Sequence, residues 1–155
     1  MAVILAAGGS SRLGTAKQLL PFRGKALLQH AIETARAACE DVRVVVNPTL
    51  RDAARGVEVV INEKWEEGLA SSIRRGLEGI ECDVLLMLCD QPLVTPEHLR
   101  ALISAGAPIA ATGYRGIAGV PAFFAARFLV ELRALRGDHG ARRVIEKHGA
   151  VTIPF

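Results

Sequence analysis

Short apolar runs alternate with amphipathic segments along the whole chain. The runs Val3–Ala7, Val42–Val46, Val57–Ile61, Val84–Cys89, Ile109–Thr112, Val120–Phe124 and Val151–Ile153 are mostly β-branched or continuously apolar. That is the pattern of strands covered on both faces. Helical spacing predicts helices over Ala26–Ala38, Leu50–Ala54, Ala70–Leu77, Pro96–Ser104, Ala126–Leu135 and Ala141–Lys147. In the first of these, Leu27, Leu28, Ala31, Ile32 and Ala35 share one face, with Gln29, Glu33 and Arg36 opposite. The fourth opens on Thr95-Pro96-Glu97, which is an N-cap, a proline at the first helical position and an acid at the positive dipole end. Ala105-Gly106 stops it.

Strand–helix alternation predicts a largely parallel sheet with helices on both faces, in one α/β domain over residues 1–155. Ligands of such sheets gather at the carboxyl ends of the strands. Hydrophobic residues make up 50% of the chain and aromatics only 5%, so Ala, Val, Ile and Leu build the interior. The net charge of +3 comes from basic residues spread along the chain, without a run dense enough for nucleic acid. It suits an anionic small substrate. The three cysteines, Cys39, Cys82 and Cys89, lack metal-ligand spacing. Cys82 and Cys89 flank a strand run and read as buried small hydrophobes. The start lacks a basic leader region, and no stretch nears the roughly 20 apolar residues of a membrane span. A soluble cytoplasmic protein is expected.

The chemistry concentrates in Leu5-Ala-Ala-Gly-Gly-Ser-Ser-Arg-Leu-Gly-Thr-Ala-Lys-Gln-Leu-Leu-Pro21. An apolar strand passes directly into a loop in which Gly8, Gly9 and Gly14 permit close approach of backbone N–H groups to an anion. Arg12 and Lys17 add a planar fork and a point charge. The spacing is not that of a Walker A loop, because Thr15-Ala16 separate Gly14 from Lys17. It also fails the dinucleotide fingerprint, since Gly8 and Gly9 are adjacent. Glycines alone would fit an ordinary strand-to-helix turn. The two cations beside them make the loop a nucleoside triphosphate site.

A carboxylate arrives at the same sheet edge. The run ending Leu88-Cys89-Asp90-Gln91-Pro92 delivers Asp90 to a strand end; taken alone the acid reads first as a local turn cap, but beside the first-strand loop, at the same sheet edge, it reads better as a hard oxygen ligand for Mg²⁺. Between the two segments, Trp65 precedes a helix start that carries Gly68, Ser71 and Ser72. The serines suit either a cap or hydrogen bonds to a base or ribose, and Gly68 leaves room for a flat base. Trp65 reads first as core or rim packing and second as a base platform. His30, His98 and His139 have no sequence partner that suggests catalysis.

Taken in order, Leu5-Ala-Ala-Gly-x-Ser-x-Arg-x-Gly-x-x-Lys17-Gln-Leu-Leu-Pro21, Trp65-x-x-Gly68-x-x-Ser71-Ser72, Leu88-Cys-Asp-Gln-Pro92, Gly119-x-Pro121 and Leu135-x-Gly-Asp-x-Gly-Ala-Arg142 resemble the molybdenum cofactor cytidylyltransferases and their relatives in the molybdopterin nucleotidyltransferase-like family. The opening motif alone indicates only a nucleotidyltransferase; the later blocks point to the cytidylyl branch, and guanylyl relatives typically have glycine at the Ala7 position. The resemblance implies a three-layer α/β/α sandwich with a mixed, mostly parallel seven-stranded sheet, the Rossmann-like nucleotide-diphospho-sugar transferase fold. It implies transfer of CMP from CTP to the terminal phosphate of molybdenum-molybdopterin, with Mg²⁺ as cofactor and pyrophosphate released. A molybdoenzyme or its chaperone is the onward partner.

By the same resemblance, Ala6, Ala7, Gly8, Gly9, Ser10, Arg12, Gly14 and Lys17 hold the nucleotide. Gly68, Ser71 and Ser72 lie near the base, and Asp90 binds the metal. Gln91, Gly119, Pro121 and Arg142 form the acceptor side, and Asp138 caps the last helix or serves that side. Arg12, Lys17 and Asp90 carry the transfer by positioning and charge neutralisation. Family members usually continue into a segment with a second metal-binding aspartate, whereas this chain stops at Phe155. Three readings follow: a truncated chain, a substitute acid, or impaired catalysis. The rival functions are a transferase of the same fold with another base or acceptor, and a non-catalytic carrier of nucleotide or cofactor.

Overall fold

The computed structural model describes residues 1–10 and 14–155. In chain order the strands are β1 (Ala2–Ala6), β2 (Pro21–Phe22), β3 (Lys25–Ala26), β4 (Val42–Val46), β5 (Glu58–Ile61), β6 (Val84–Leu88), β7 (Ile109–Tyr114), β8 (Ile117–Phe124) and β9 (Val151–Pro154). The helices are α1 (Leu27–Ala38), α2 (Leu69–Gly76), α3 (Pro96–Ile103), α4 (Leu129–Ala134) and α5 (Arg142–His148). β2 and β3 form a small hairpin of their own. The other strands make one seven-stranded sheet in the order β5-β4-β1-β6-β8-β7-β9.

Alternate residues of the central strand feed two cores. Val3 and Leu5 of β1 face a layer built from α2, α4 and α5. Ala2, Ile4 and Ala6 face α1 and α3, through Leu28, Ile32, Leu99 and Leu102. This is the two-sided apolar burial expected of a central parallel strand. β1 pairs in parallel with β4 and with β6, in a register that sets Leu5 opposite Leu88. The carboxyl ends of β1 and β6 therefore lie side by side.

The sheet is mixed because β8 runs antiparallel to both β6 and β7. Strand–helix alternation does not anticipate this hairpin. The strands at Ile109 and Val120 are longer than their apolar runs, and they meet at Arg115-Gly116, both with positive φ (48° and 87°). That is the backbone of a tight two-residue hairpin turn, which leaves no residues for a crossover helix.

Two other expectations are corrected. The segment Leu50–Ala54 is not a helix. Asn47 accepts hydrogen bonds from Thr49 N and Oγ1 (3.0 and 2.6 Å), which closes a short 3-10 turn over Pro48–Leu50, and turns follow. Cys82 is exposed, because it lies in the turn ahead of β6 and outside the strand, whereas Cys89 is buried as expected. The predicted cap of α3 is present, with Thr95 Oγ1 accepting from His98 N at 3.3 Å. No helix among the described residues is long and apolar enough to cross a membrane.

α2 lies close on the sheet at Gly76. A Cβ there would sit 2.8 Å from both Val3 Cγ1 and Val45 Cγ2. Arg43 holds the helix end from the strand side, donating to the carbonyls of Gly76 (2.9 Å) and Glu78 (2.8 Å). Gly76→Ala is therefore expected to destabilise the protein by about 1–3 kcal/mol, through overpacking that outweighs the gain in helix propensity. Denaturant titration checks this, and an unchanged midpoint contradicts the packing.

Candidate active site

β1 ends at Ala6, and the chain leaves the sheet through Ala7, Gly8, Gly9 and Ser10. What holds this exit is Gln18, a polar side chain with no exposed surface. Its Nε2 donates to the carbonyls of Ala6 (2.9 Å) and Gly8 (2.8 Å). Ser10 Oγ lies 3.4 Å from Gln18 Oε1 and accepts from Lys17 N at 2.9 Å. A buried amide with its hydrogen bonds satisfied is a rigid staple, because releasing it would leave several polar groups unpaired. It fixes the two ends of the glycine loop and sets Lys17 beside the β1 exit.

Lys17 Nζ reaches Asp90 Oδ2 at 2.7 Å. The acid stands just past the end of β6, so the parallel register of β1 and β6 is what brings the two charges together. Both side chains are about one-third exposed, at 36% and 33%. An ion pair this open contributes at most about 1 kcal/mol, so it exchanges readily for an incoming phosphate or cation. Gln91 steadies the turn: its Nε2 donates to Tyr114 Oη and to the Val120 carbonyl, each at 2.9 Å.

Lys17 and Asp90 line a cleft of about 300 Å³ at the carboxyl edge of the sheet. Ala6, Ala7, Gly8 and Gly9 form its floor, with Trp65, Gly68, Ser72 and Asp138 completing the wall. Trp65 lies over the loop so closely that a Cβ on Gly9 would fall 2.4 Å from its Cζ3. The tryptophan is thus both rim packing and a face of the cleft. Arg12 lies outside the described residues.

The remaining predicted positions divide. Ser10 is a loop brace, and Gly14, at φ 66°, is a turn residue that does not reach the cleft. Ser71 and Ser72 are both buried, and neither is the N-cap of α2, which is Gly68. Asn62 Nδ2 donates to both hydroxyls, at 2.9 and 3.0 Å. Ser71 Oγ also faces the carbonyls of Lys64 and Gly68 (2.9 and 2.8 Å), so it is committed to the protein, whereas Ser72 borders the cleft. The open space beside Gly68 is taken by protein: a Cβ there would meet Asp138 Oδ1 at 2.4 Å and the Gly137 carbonyl at 2.6 Å.

Of the positions expected on the acceptor side, Gly119 and Arg142 border a second, apolar cavity of about 270 Å³ that shares Leu5, Leu69 and Leu88 with the first. Pro121 is buried, and its carbonyl accepts from Thr112 Oγ1 at 2.7 Å. Gln91 has its amide engaged by Tyr114 and Val120, and borders neither of these two cavities. Arg142 pairs with Glu146 at 2.7 Å. Asp138 does not cap α5, whose N-cap is Ala141 with no side-chain bond.

The described residues hold no group of three His, Cys, Asp or Glu side chains able to bind a metal. Asp90 nevertheless suits a hard cation that arrives with phosphates, since Mg²⁺ commonly takes one or two carboxylates plus substrate oxygens and water. Cys89, beside it, is no nucleophile. Burial, reinforced by the Asp90 charge, pushes its thiol up to about 12. Sequence does not single out Gln18, Glu66 and Asp138 for this cleft, nor Asn62 for the support of Ser72 beside it, and nothing in their spacing signals it. Gln18 and Asp138 are fixed positions of motif blocks and Glu66 a variable one, whereas Asn62 lies outside them.

The profile of the MobA-like NTP transferase domain matches residues 2–151. The chain is 27% identical to the purine catabolism protein PucB of Bacillus subtilis, over 93% of this chain and 79% of that one. It is 35% identical to a probable molybdenum cofactor guanylyltransferase of Geobacillus sp., over 64% of this chain and about half (54%) of that protein. Among solved structures, Rv0371c of Mycobacterium tuberculosis superposes with a TM-score of 0.88 at 33% identity, covering 99% of this chain and 87% of that one. The structure of its complex with manganese gives 0.83 at 29% identity, covering 99% and 86%.

Two measurements check the site's framework. Gln18→Ala is expected to cost about 2 kcal/mol, because it strands buried carbonyls; a neutral result in denaturant titration contradicts the staple. Thiol titration of the native protein at pH 8 should modify Cys82 readily and leave Cys89 untouched until unfolding; rapid reaction of Cys89 contradicts its burial.

Proposed function

The chain belongs to the MobA-like NTP transferase family of nucleotidyltransferases, and from that premise we propose that it moves CMP from CTP to the terminal phosphate of molybdenum-molybdopterin, releasing pyrophosphate. The observation that carries this reading is the Lys17–Asp90 pair, 2.7 Å apart, at the mouth of a glycine-floored cleft. One partner suits phosphate oxygens and the other suits Mg²⁺. The manganese complex of a structural neighbour lends support to a divalent cation.

The chemistry needs positioning and neutralisation more than proton transfer. A phosphate nucleophile is already ionised near neutral pH, so no general base is required. Backbone N–H groups around Gly8 and Gly9 cradle the triphosphate, and Lys17 turns from Asp90 to the departing oxygens, joined by Arg12. Asp90 would hold the divalent cation, which would supply neutralisation of the charge that develops on pyrophosphate. Gly119 and Arg142, bordering the adjoining cavity, hold the acceptor, with Arg142 leaving Glu146 to clamp its phosphate.

A second reading has its own observation. The guanylyltransferase relative favours GTP. Against it, Ala7 stands at the cleft, at a position where guanylyl relatives typically have glycine.

Pyrophosphate release with CTP or GTP, Mg²⁺ and molybdenum-molybdopterin tests both. CTP should support turnover and GTP should not; turnover with GTP alone overturns the base assignment, and binding without release points to a carrier. Asp90→Asn should lower kcat by about 10²-fold or more with an unchanged melting temperature. Lys17→Ala should raise the CTP concentration needed. Near-normal kinetics in either variant contradict the site.

A further inference from the structure

The loop between α4 and α5 reaches the nucleotide cleft from far along the chain. Gly137 O accepts from Ala70 N at 3.1 Å, at the first turn of α2. The same loop is pressed onto Gly68 and onto Leu69, where a Cβ on Gly140 would fall 2.8 Å from Leu69 Cδ2. These contacts clasp the loop to the start of α2. Asp138 is thereby set against Gly68 in the nucleotide cleft, while Gly140 and Arg142 border the apolar cavity next to it. The Asp138 carboxylate caps no helix and has no hydrogen-bond or ion-pair partner among the described residues.

We propose that Asp138 reads the base: its carboxylate accepts a hydrogen bond from an exocyclic amino group, which selects an amino-bearing nucleotide over one that presents a carbonyl there. The inference rests on the cleft being a nucleoside triphosphate site. The sign of the charge decides the orientation. A carboxylate facing a phosphate at 4 Å costs about 1 kcal/mol in water and about 4 kcal/mol at an effective dielectric of 20. Lys17, the one lysine or arginine lining the cleft among the described residues, draws the phosphates to the glycine floor, where a cation would offset the Asp90 charge; the wall of Trp65, Gly68 and Asp138 is left to the base.

An ionised carboxylate only accepts. Cytosine offers N4–H₂ and guanine offers N2–H₂, whereas uracil presents O4 where cytosine has its amino group. Facing Asp138, that oxygen would meet a carboxylate, two acceptors opposed with no proton between them. Asp138 is then a specificity-determining residue.

The only tryptophan of the chain, Trp65, lines this cleft and supplies the readout. Its fluorescence is titrated with CTP, UTP, GTP and ITP, each with Mg²⁺, in the wild type, Asp138→Asn and Asp138→Ala, with melting temperatures as a folding control. The wild type should prefer the amino-bearing member of a pair, CTP over UTP or GTP over ITP. In Asp138→Asn that preference should fall about tenfold, because the amide can donate to a carbonyl. In Asp138→Ala, loss should fall on the amino-bearing nucleotide while its partner is little changed. Saturable binding with an unaltered preference in both folded variants overturns the role of Asp138 and leaves the nucleotide site standing. No saturable response to any triphosphate in the wild type overturns both.

Discussion

The site depends on one register. Pairing of β1 with β6, Leu5 opposite Leu88, brings two strand ends level, and everything chemical follows from what the chain does just beyond them. β1 continues into a loop that cannot collapse onto the sheet, because the buried Gln18 amide holds both Ala6 and Gly8 carbonyls. β6 continues into Asp90, steadied by the Gln91 bonds to Tyr114 and Val120. The Lys17–Asp90 contact is where the two exits meet. A shift of one residue in the β1–β6 pairing would turn each strand's alternation inside out and move Asp90 away from Lys17.

The same layer arrangement explains why the cleft has two kinds of wall. The wall formed by Ala7, Gly8, Gly9 and Asp90 is built locally, from residues within a few positions of a strand end. The opposite side is borrowed. The segment at Gly137–Arg142 docks on the first turn of α2, and Gly68 and Gly140 are the two positions where any side chain would block that approach. A single clasp therefore joins the cleft to the apolar cavity beside it. Movement of this loop would alter both at once.

Residues whose role follows from their place along a strand could be read from sequence. Asp90 is one: an apolar run leads it to the carboxyl edge, and parallel strands gather ligands there. Lys17 is another, as a cation in a glycine loop leaving a neighbouring strand. Residues whose role is a tertiary contact could not. Nothing local tells that Gln18 is buried, since its partners are carbonyls of another segment. The division between Ser71 and Ser72 depends on Asn62. Gly68 reads locally as space for a base, yet a loop some seventy residues later fills that space. The β7–β8 hairpin hides because Gly113, Arg115 and Gly116 break the apolar run between Ile109 and Phe124. The mixed sheet follows from family resemblance and not from periodicity.

If Lys17 and Asp90 face one bound nucleotide and its cation, a crystal soaked with CTP and Mn²⁺ and recorded at the manganese absorption edge should show an anomalous peak at about 2.1 Å from an Asp90 carboxylate oxygen, the distance typical of a small hard cation, with Lys17 Nζ transferred to a phosphate oxygen. A nucleotide bound with its metal on other residues, and the Lys17–Asp90 pair left closed, would contradict it.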